Sequence, residues 1–371
     1  MIFFATAAKG TEGAVRDELR EHRFRGVRAT RGGVAFEGPL GEGYRACLVL
    51  RTPVRVLLEL STFEAPTGDA LYAGVRAIEW EHAVSTQTTI AVRATCRSSA
   101  LTHSQFIALK TKDAIVDRLR DRFGERPNVD PEDPDVAVFL HLVKDEATVY
   151  VDLGGRPLHL RGYRKEAGPA PLKETLAACL VALSGWDRRA DFLDPMCGSG
   201  TIAIEAAARA ARLAPGLSAP PFGFTRWASF DEESRREWDA QVERARASVV
   251  PPAERPIVRA SDRDPLVLAA AKVNAARAGV DVVLARQSID KVPDPGDAWV
   301  VLNPPYGERL ELDRDDAARA GRALASMRRA HRAVLAGSPA VLESIPLRPS
   351  KLLTIMNGDL ECRFALYAPA R

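Results

Sequence analysis

The sequence predicts an α/β protein in two parts: an α+β N-terminal half and a C-terminal, doubly wound, mostly parallel sheet. Three observations carry this. After Pro171, helical patterns alternate with short apolar strand runs, as strands buried on both faces of an open parallel sheet do. A glycine loop, Gly198-Ser199-Gly200, stands between one such run and an alanine-rich helix. The first 160 residues also alternate strand and helix, but they end in two strands joined by a tight turn. At 371 residues the chain exceeds the usual size of one domain.

Element by element, Ile2 to Ala7 reads as a strand and Thr11 to Phe24 as a helix carrying Val15 and Leu19. Val34 to Phe36 is a short strand, Leu40 to Leu50 a helix and Val54 to Phe63 a strand. A second unit contains a strand (Thr89 to Ala94), a helix (Phe106 to Phe123) and a Pro/Asp-rich loop (Pro127 to Asp135). Two strands follow, Val136 to Leu142 and Ala147 to Leu153, with a Lys144-Asp145-Glu146 turn between them. Gly154-Gly155 breaks the last strand, and Arg161 to Pro171 reads as a linker. Leu172 to Leu183 is then a helix, Asp191 to Leu193 a strand, Ile202 to Leu213 a helix and Ile257 to Ser261 a strand stopping at Asp262. Pro265 to Ala278 is a helix closed by Gly279, and Val282 to Leu284 and Ala298 to Leu302 are strands. A long helix from Asp315 to Leu335, a strand from Ala340 to Ser344 and a final strand pair (Lys351 to Met356, Leu360 to Ala368) complete the pattern.

Composition excludes several classes. The chain is 46% hydrophobic and 27% charged, the balance of a soluble globular protein. No apolar stretch reaches bilayer length, and Met1 to Lys9 lacks the charged region and cleavage site of a signal peptide. Five scattered cysteines (Cys47, Cys96, Cys179, Cys197, Cys362) without a CxxC pair argue against a disulfide framework and a structural zinc site, and point to the cytoplasm. The net charge of +3 decides nothing. Arginine far outnumbers lysine, a bias that genomic base composition explains as well as phosphate recognition does. Two clusters stand out locally. Arg16 to Arg31 reads as a solvated helix face or linker; Arg156, Arg161, Arg164, Lys165 and Lys173 form the other.

Two motifs sit at predicted strand ends, where open α/β sheets bind ligands. In Asp194-Pro195-Met196-Cys197-Gly198-Ser199-Gly200-Thr201, the glycines let backbone approach a ligand, and the following helix start offers free N–H groups. Alone, this loop is equally a structural turn. Asp262, ending the next strand, suits the two hydroxyls of a ribose. Asn303-Pro304-Pro305-Tyr306 narrows the chemistry. The prolines remove two donors and fix an extended turn, so the Asn303 side-chain oxygen and the Pro304 carbonyl become two acceptors for one planar NH₂. Tyr306 supplies a face for a base. Such a site suits methylation of a conjugated amino nitrogen by positioning and electrostatics, with no metal. His103 and His141 read as structural, and Cys197 has no histidine beside it to make it a nucleophile.

Asp194 to Thr201 together with Asn303 to Tyr306 resembles the amino-methyltransferases, and more closely the THUMP-domain RNA guanine-N2 methyltransferases. Leu158 to Arg164 with Pro171 to Ala177 looks like that family's junction, and Ala214-Pro215-Gly216-Leu217 with Phe222, Phe224 and Trp227 like its insertion. Gly307 to Leu310, Asn357-Gly358 and Leu360-Glu361-Cys362 fit as well. The resemblance implies a ferredoxin-like segment (1–65), a THUMP RNA-binding domain (66–160), a linker (161–171) and a Rossmann-like class I methyltransferase domain (172–371). It implies S-adenosylmethionine as cofactor, lined by Asp194, Met196, Cys197, Gly198, Gly200 and Thr201, with Asp262 on the ribose and Lys173, Glu174 and Thr175 near the methionine end. Asn303, Pro304 and Tyr306 would then be the catalytic residues.

The insertion is most like the bacterial 23S ribosomal RNA enzymes. The chain lacks the second methyltransferase module of the fused form, so the resemblance is to a stand-alone homologue of its N-terminal half, expected to be a cytoplasmic monomer. Acceptor-stem tRNA enzymes, DNA amino-methyltransferases and a non-catalytic RNA-binding assembly factor are the rivals. Two positions depart from the family pattern. Ser288, between Gln287 and Ile289, stands where an adenine-contacting acid is usual, with Asp290 nearby, and Arg263 replaces an aliphatic residue and is expected to face solvent.

Overall fold

Eight strands of the N-terminal half form one sheet rather than two. The computed structural model describes residues 1–164, 172–305 and 314–370. In the N-terminal half the strands are β1 (Ile2–Thr6), β2 (Arg25–Thr30), β3 (Gly33–Glu37), β4 (Arg55–Glu64), β5 (Thr89–Arg97), β6 (Asn128–Val129), β7 (Val136–Val143) and β8 (Glu146–Asp152). Their order across the sheet is β2-β3-β1-β4-β8-β7-β5-β6. The expected boundary at residue 65 therefore falls at the end of β4, the strand that pairs with β1 on one side and β8 on the other. Helices α1 (Glu12–Glu21), α2 (Leu40–Val49), α3 (Gly68–Ala77) and α4 (Ser104–Phe123) accompany it. Lys144 and Asp145, at φ 53° and 63°, form the two-residue turn between β7 and β8 that the right-handed strand twist favours.

The C-terminal half is built on a seven-stranded sheet. Its elements are α5 (Glu174–Leu183), β9 (Phe192–Asp194), α6 (Thr201–Ala210), α7 (Glu232–Ala247), β10 (Val258–Asp262), α8 (Pro265–Ala278), β11 (Val283–Arg286) and β12 (Trp299–Leu302). They continue with α9 (Arg314–Ser326), β13 (His331–Ala336), α10 (Pro339–Glu343), β14 (Lys351–Asn357) and β15 (Leu360–Tyr367). The order is β11-β10-β9-β12-β13-β15-β14, with the first five strands parallel and the last two antiparallel.

Several expectations need correction. The helix expected from Asp315 to Leu335 ends at Ser326, and His331–Ala336 is a strand. That strand lies between β12 and β15 and is buried along most of its length, so it carries no alternation to set it apart from an alanine-rich helix. Ala340 to Ser344, expected as a strand, lies in helix α10, which starts with Pro339 at its first position. Arg25–Thr30, within the stretch expected as a helix face or linker, instead forms the exposed edge strand β2, where Arg28 pairs with Glu37 at 3.0 Å. Helices α3 and α7 were not expected. In α7 only Gln241 and Ala245 are buried, so it has almost no apolar stripe to read.

The two halves are joined by packing and by buried charge. Phe222, Phe224, Trp227 and Phe230, from the segment after α6, belong to the N-terminal core. Phe224 stacks on Tyr44 with centroids 4.1 Å apart. Backbone closes the seam: the Gly223 N–H donates to Gly154 at 2.9 Å and the Phe224 N–H to Leu153 at 3.0 Å. A Cβ on Gly223 would come within 2.8 Å of Gly155, so neither glycine tolerates a side chain there. Beneath this seam Glu205 of α6, almost fully buried, faces Arg51 at 3.8 Å and Arg161 at 3.6 Å and accepts a hydrogen bond from Tyr163 at 3.2 Å. Burial pushes the Glu205 carboxyl up, against the pull of Arg161 and Arg51, and lowers the Arg51 guanidinium to about 10. The second basic cluster is thus mainly structural. Arg161 is buried, Arg164 holds Glu174 at 2.8 Å and Arg156 donates to the carbonyls of Pro220 and Pro221; Lys173 is exposed and Lys165 lies outside the described residues.

Truncating one member of a buried ion cluster strands the others in low dielectric. Glu205→Ala is expected to lower the free energy of unfolding by about 3–5 kcal/mol in urea denaturation. A loss well below 1 kcal/mol would show that Arg51 and Arg161 do not depend on it.

Candidate active site

β9 and β12 lie side by side and parallel, with Phe192 opposite Trp299 and Leu193 opposite Val300. After β9 the chain winds toward β10 and β11, whereas β12 and β13 lie on the other side. The strand order therefore reverses between β9 and β12, the point at which a crevice opens at the carboxyl ends of the strands. A cavity of about 220 Å³ occupies it. The glycine loop after β9 forms one wall and Asn303 after β12 another, so the two motifs meet in one place.

Each glycine has its own reason. Gly200 adopts φ +86° as the N-cap of α6, and a Cβ there would press to 3.0 Å from Ala271 of α8. It does not line the cavity, so its role is close helix packing rather than ligand approach. Gly198 adopts φ +52°, and a Cβ on it would meet nothing within 4 Å. It borders the cavity, so this is the backbone a ligand reaches. Asp262 fixes the loop: its Oδ2 accepts from the Gly198 N–H at 3.0 Å and its Oδ1 from the Asp264 N–H at 3.0 Å.

Asp194 ends β9 almost fully buried. Burial pushes its carboxyl up to about 8; the Met196 N–H works against this and the Asp262 charge adds to it. Its Oδ1 has no hydrogen-bond partner among the described residues, and neither does the buried Oδ1 of Asn303. Both residues line the same cavity. Two orphaned acceptors in one crevice mark where a ligand's donors belong. Cys197 is buried with its thiol raised by burial, which leaves it inert as a nucleophile.

Of the expected residues, the cavity gathers Asp194, Met196, Cys197, Gly198, Thr201, Asp262 and Asn303. It does not gather Gly200, Lys173, Glu174, Thr175 or Pro304. Leu172 reaches the lining, whereas Lys173 is exposed, Thr175 is buried and Glu174 is held by Arg164. Arg164 also reaches the Thr201 hydroxyl at 3.2 Å, tying the junction to the cavity wall. Pro304 is buried, its neighbour Pro305 lines the cavity, and Tyr306 and Gly307 to Leu310 lie outside the described residues.

The structure adds others. Gln287, Ser288 and Ile289 line the cavity, while Asp290 is exposed and does not. Arg263 lines the rim and also pairs with Asp316 of α9 at 2.8 Å, although two-thirds of its side chain is open to solvent. Val267 and Arg319 complete that side. Their only signal in the sequence was a place just after a strand end or after the Asn-Pro-Pro motif.

Residues 161–365 match the family described as RMKL-like, methyltransferase domain; residues 66–152 match the THUMP domain and residues 2–57 the RlmL ferredoxin-like domain. The ribosomal RNA large subunit methyltransferase K/L of Syntrophotalea carbinolica is 42% identical over 379 residues, covering 97% of this chain and 52% of that protein. The chain thus spans about half the length of the relatives it matches. The crystal structure of SMU.472 complexed with SAH superposes with a TM-score of 0.88 at 29% identity, covering 100% of this chain and 98% of that one. A predicted N6-adenine-specific DNA methylase from Listeria monocytogenes gives 0.87 at 29% identity, covering 99% and 96%.

A carboxyl raised from 3.8 to about 8 keeps a proton that the unfolded chain has released. Its stabilising share is whole below about pH 4 and is lost as pH rises to about 8. Asp194→Asn removes that dependence. Ligand-free Asp194→Asn is expected to melt above the wild type near pH 8, with the gap narrowing toward pH 4, in calorimetric scans. A gap independent of pH would contradict the buried, proton-holding carboxyl.

Proposed function

The chain belongs to the RMKL-like methyltransferase family, and from that premise we propose that it transfers a methyl group from S-adenosylmethionine to the N2 amino group of a guanine in 23S ribosomal RNA. The observation that carries the reading is the Asn303 side-chain oxygen, buried and without a hydrogen-bond partner among the described residues, in the cavity that holds the glycine loop.

The residues present fit the cofactor. Gly198 leaves room for close approach, Asp262 stands at the end of β10 where a ribose fits, and Asp194 offers an unspent acceptor. Gln287, Ser288 and Ile289 supply polar and apolar surface for the adenine in place of the usual acid. When bound, S-adenosylmethionine supplies the electrophilic methyl group. The Asn303 side-chain oxygen accepts a hydrogen bond from the target N–H, which holds the nitrogen lone pair toward the methyl and raises its nucleophilicity. The Pro304 carbonyl is the second acceptor in this reading, and Tyr306 the stacking surface. A paired guanine must leave its stack to reach Asn303, at a cost of a few kcal/mol.

Ribosomal RNA is favoured over tRNA by the large-subunit relative, whose likeness runs nearly the whole length of this chain, and over DNA by the THUMP domain. No helix among the described residues is long and apolar enough to cross a membrane, and the reading extends to a monomer working in the cytoplasm.

Asn303→Ala is expected to lower turnover about a hundredfold or more while calorimetry finds cofactor binding nearly intact. Equal turnover by mutant and wild type would sink the assigned role. Asp262→Ala is expected to weaken cofactor binding in the same calorimetry. Deleting the gene and measuring N2-methylguanosine by mass spectrometry in separated RNA fractions tests the substrate. Loss from large ribosomal RNA alone supports the proposal, and loss from tRNA alone transfers the chemistry to tRNA.

A further inference from the structure

A second cavity, of about 560 Å³, opens between the N-terminal half and the far side of the catalytic domain. It lies around the C-terminal ends of α1 and α6. The glycine loop caps the other end of α6, about 15 Å away along a ten-residue helix. Its described lining holds seven arginines and two glutamates.

Four of the arginines are engaged. Arg51 donates to the Ala208 and Leu213 carbonyls, Arg45 to Glu42 and the His22 carbonyl, and Arg188 and Arg209 share Glu21. Glu18, the other acid, is taken by the N–H groups of Arg51 and Thr52 and the Thr52 hydroxyl. The acids are thus already satisfied. Arg23, Arg212 and Arg244 remain, from three separate elements, with no side-chain partner among the described residues. The Nε of Arg209 is also buried and unpartnered.

The backbone brings these cations together against its own preference. Arg23 and Arg212 each close a helix in the left-handed conformation, at φ 61° and 51°, and Arg188 adopts φ 66°. After α1 and α6 the hydrogen bonds Phe24 N–H to Leu19 and Leu213 N–H to Ala208 make the helix-ending turn whose left-handed position glycine normally takes. At each such place the chain carries arginine, and all three arginines line this one cavity. Strained backbone that converges on one concave, same-charge surface marks a site rather than a solvated face. Guanidinium forks match phosphate oxygens in pairs.

We propose that this interdomain cavity binds a phosphate group, held by Arg23, Arg212 and Arg244. The phosphate comes from the backbone of an RNA that spans both halves, or from a small phosphorylated ligand. The assignment concerns a site apart from the methyl-transfer cavity and does not depend on the base that is modified there.

The test uses the full chain with Arg23→Gln, Arg212→Gln and Arg244→Gln combined. Binding of a fluorescein-labelled, mixed-sequence RNA hairpin is followed by anisotropy over a range of salt, and binding of inorganic pyrophosphate by calorimetry. Loss of the one phosphate held there is expected to flatten the log–log salt slope by about 0.7 to 0.9. Pyrophosphate binding lost with the RNA slope unchanged assigns the site to a small phosphorylated ligand. Equal slopes together with equal or absent pyrophosphate binding in both proteins overturn the proposal. S-adenosylmethionine binding reports folding. If the triple variant loses it, Arg244→Gln on the surface helix α7 decides alone, with a smaller flattening in the same direction expected. Asn303→Ala serves as the control, expected to lose turnover with an unchanged slope, so failure here leaves the methyl-transfer reading standing.

Discussion

The buried carboxylate of Glu205 is the constraint on which the arrangement of the two halves rests. It lies on α6, one turn from Thr201, so the helix that begins at the glycine loop also carries the charge that meets Arg51 of the N-terminal half and Arg161 of the junction. Charge this deeply buried is held only when its partners are in place, and here they come from two other stretches of chain, Arg51 and the Arg161–Tyr163 junction. Arg164 extends the network to Glu174 and the Thr201 hydroxyl at the cavity wall. The cavity that gathers the glycine loop and the N-terminal half are therefore tied together through one buried network of charges.

The reacting site follows a different logic, of acceptors left without donors. A parallel sheet needs the β9–β12 neighbourhood only for packing, yet β9 ends in Asp194 and β12 is followed by Asn303, and an oxygen of each has no hydrogen-bond partner among the described residues. An unpaired buried acceptor costs stability, so its persistence in two places around one cavity is a signature of ligand chemistry. The raised Asp194 carboxyl is the same statement made by a proton.

Much of this was legible in the chain. The glycine loop, Asp262 and Asn303 were readable because positive-φ glycines and paired prolines are local demands that hold whatever surrounds them. Element types were readable where capping or periodicity was strong, as in Pro265–Ala278 closed by Gly279. The misread elements were those decided by neighbours. His331–Ala336 is a strand because β12 and β15 flank it, and α7 is a helix with little to bury because Asp231 caps it and α2 lies against it. The second glycine of the loop, Gly200, read as a ligand contact, whereas a Cβ there would press on Ala271, a close approach the spacing does not show. Nor does spacing reveal that Arg161 is buried and Arg164 half-buried, since their partners Glu205 and Glu174 are brought to them by the fold.

The single eight-stranded sheet bears on how the polypeptide reaches its final form. β4 has hydrogen-bonding edges on both sides, one filled by β1 and the other by β8. As the chain leaves the ribosome, the segment up to Glu64 emerges with the first partner in hand and the second not yet made. Until β7 and β8 follow, that edge is an open template for any passing strand. The edge of β4 in the ferredoxin-like segment is thus filled only once the THUMP segment is synthesised, although the two match separate families.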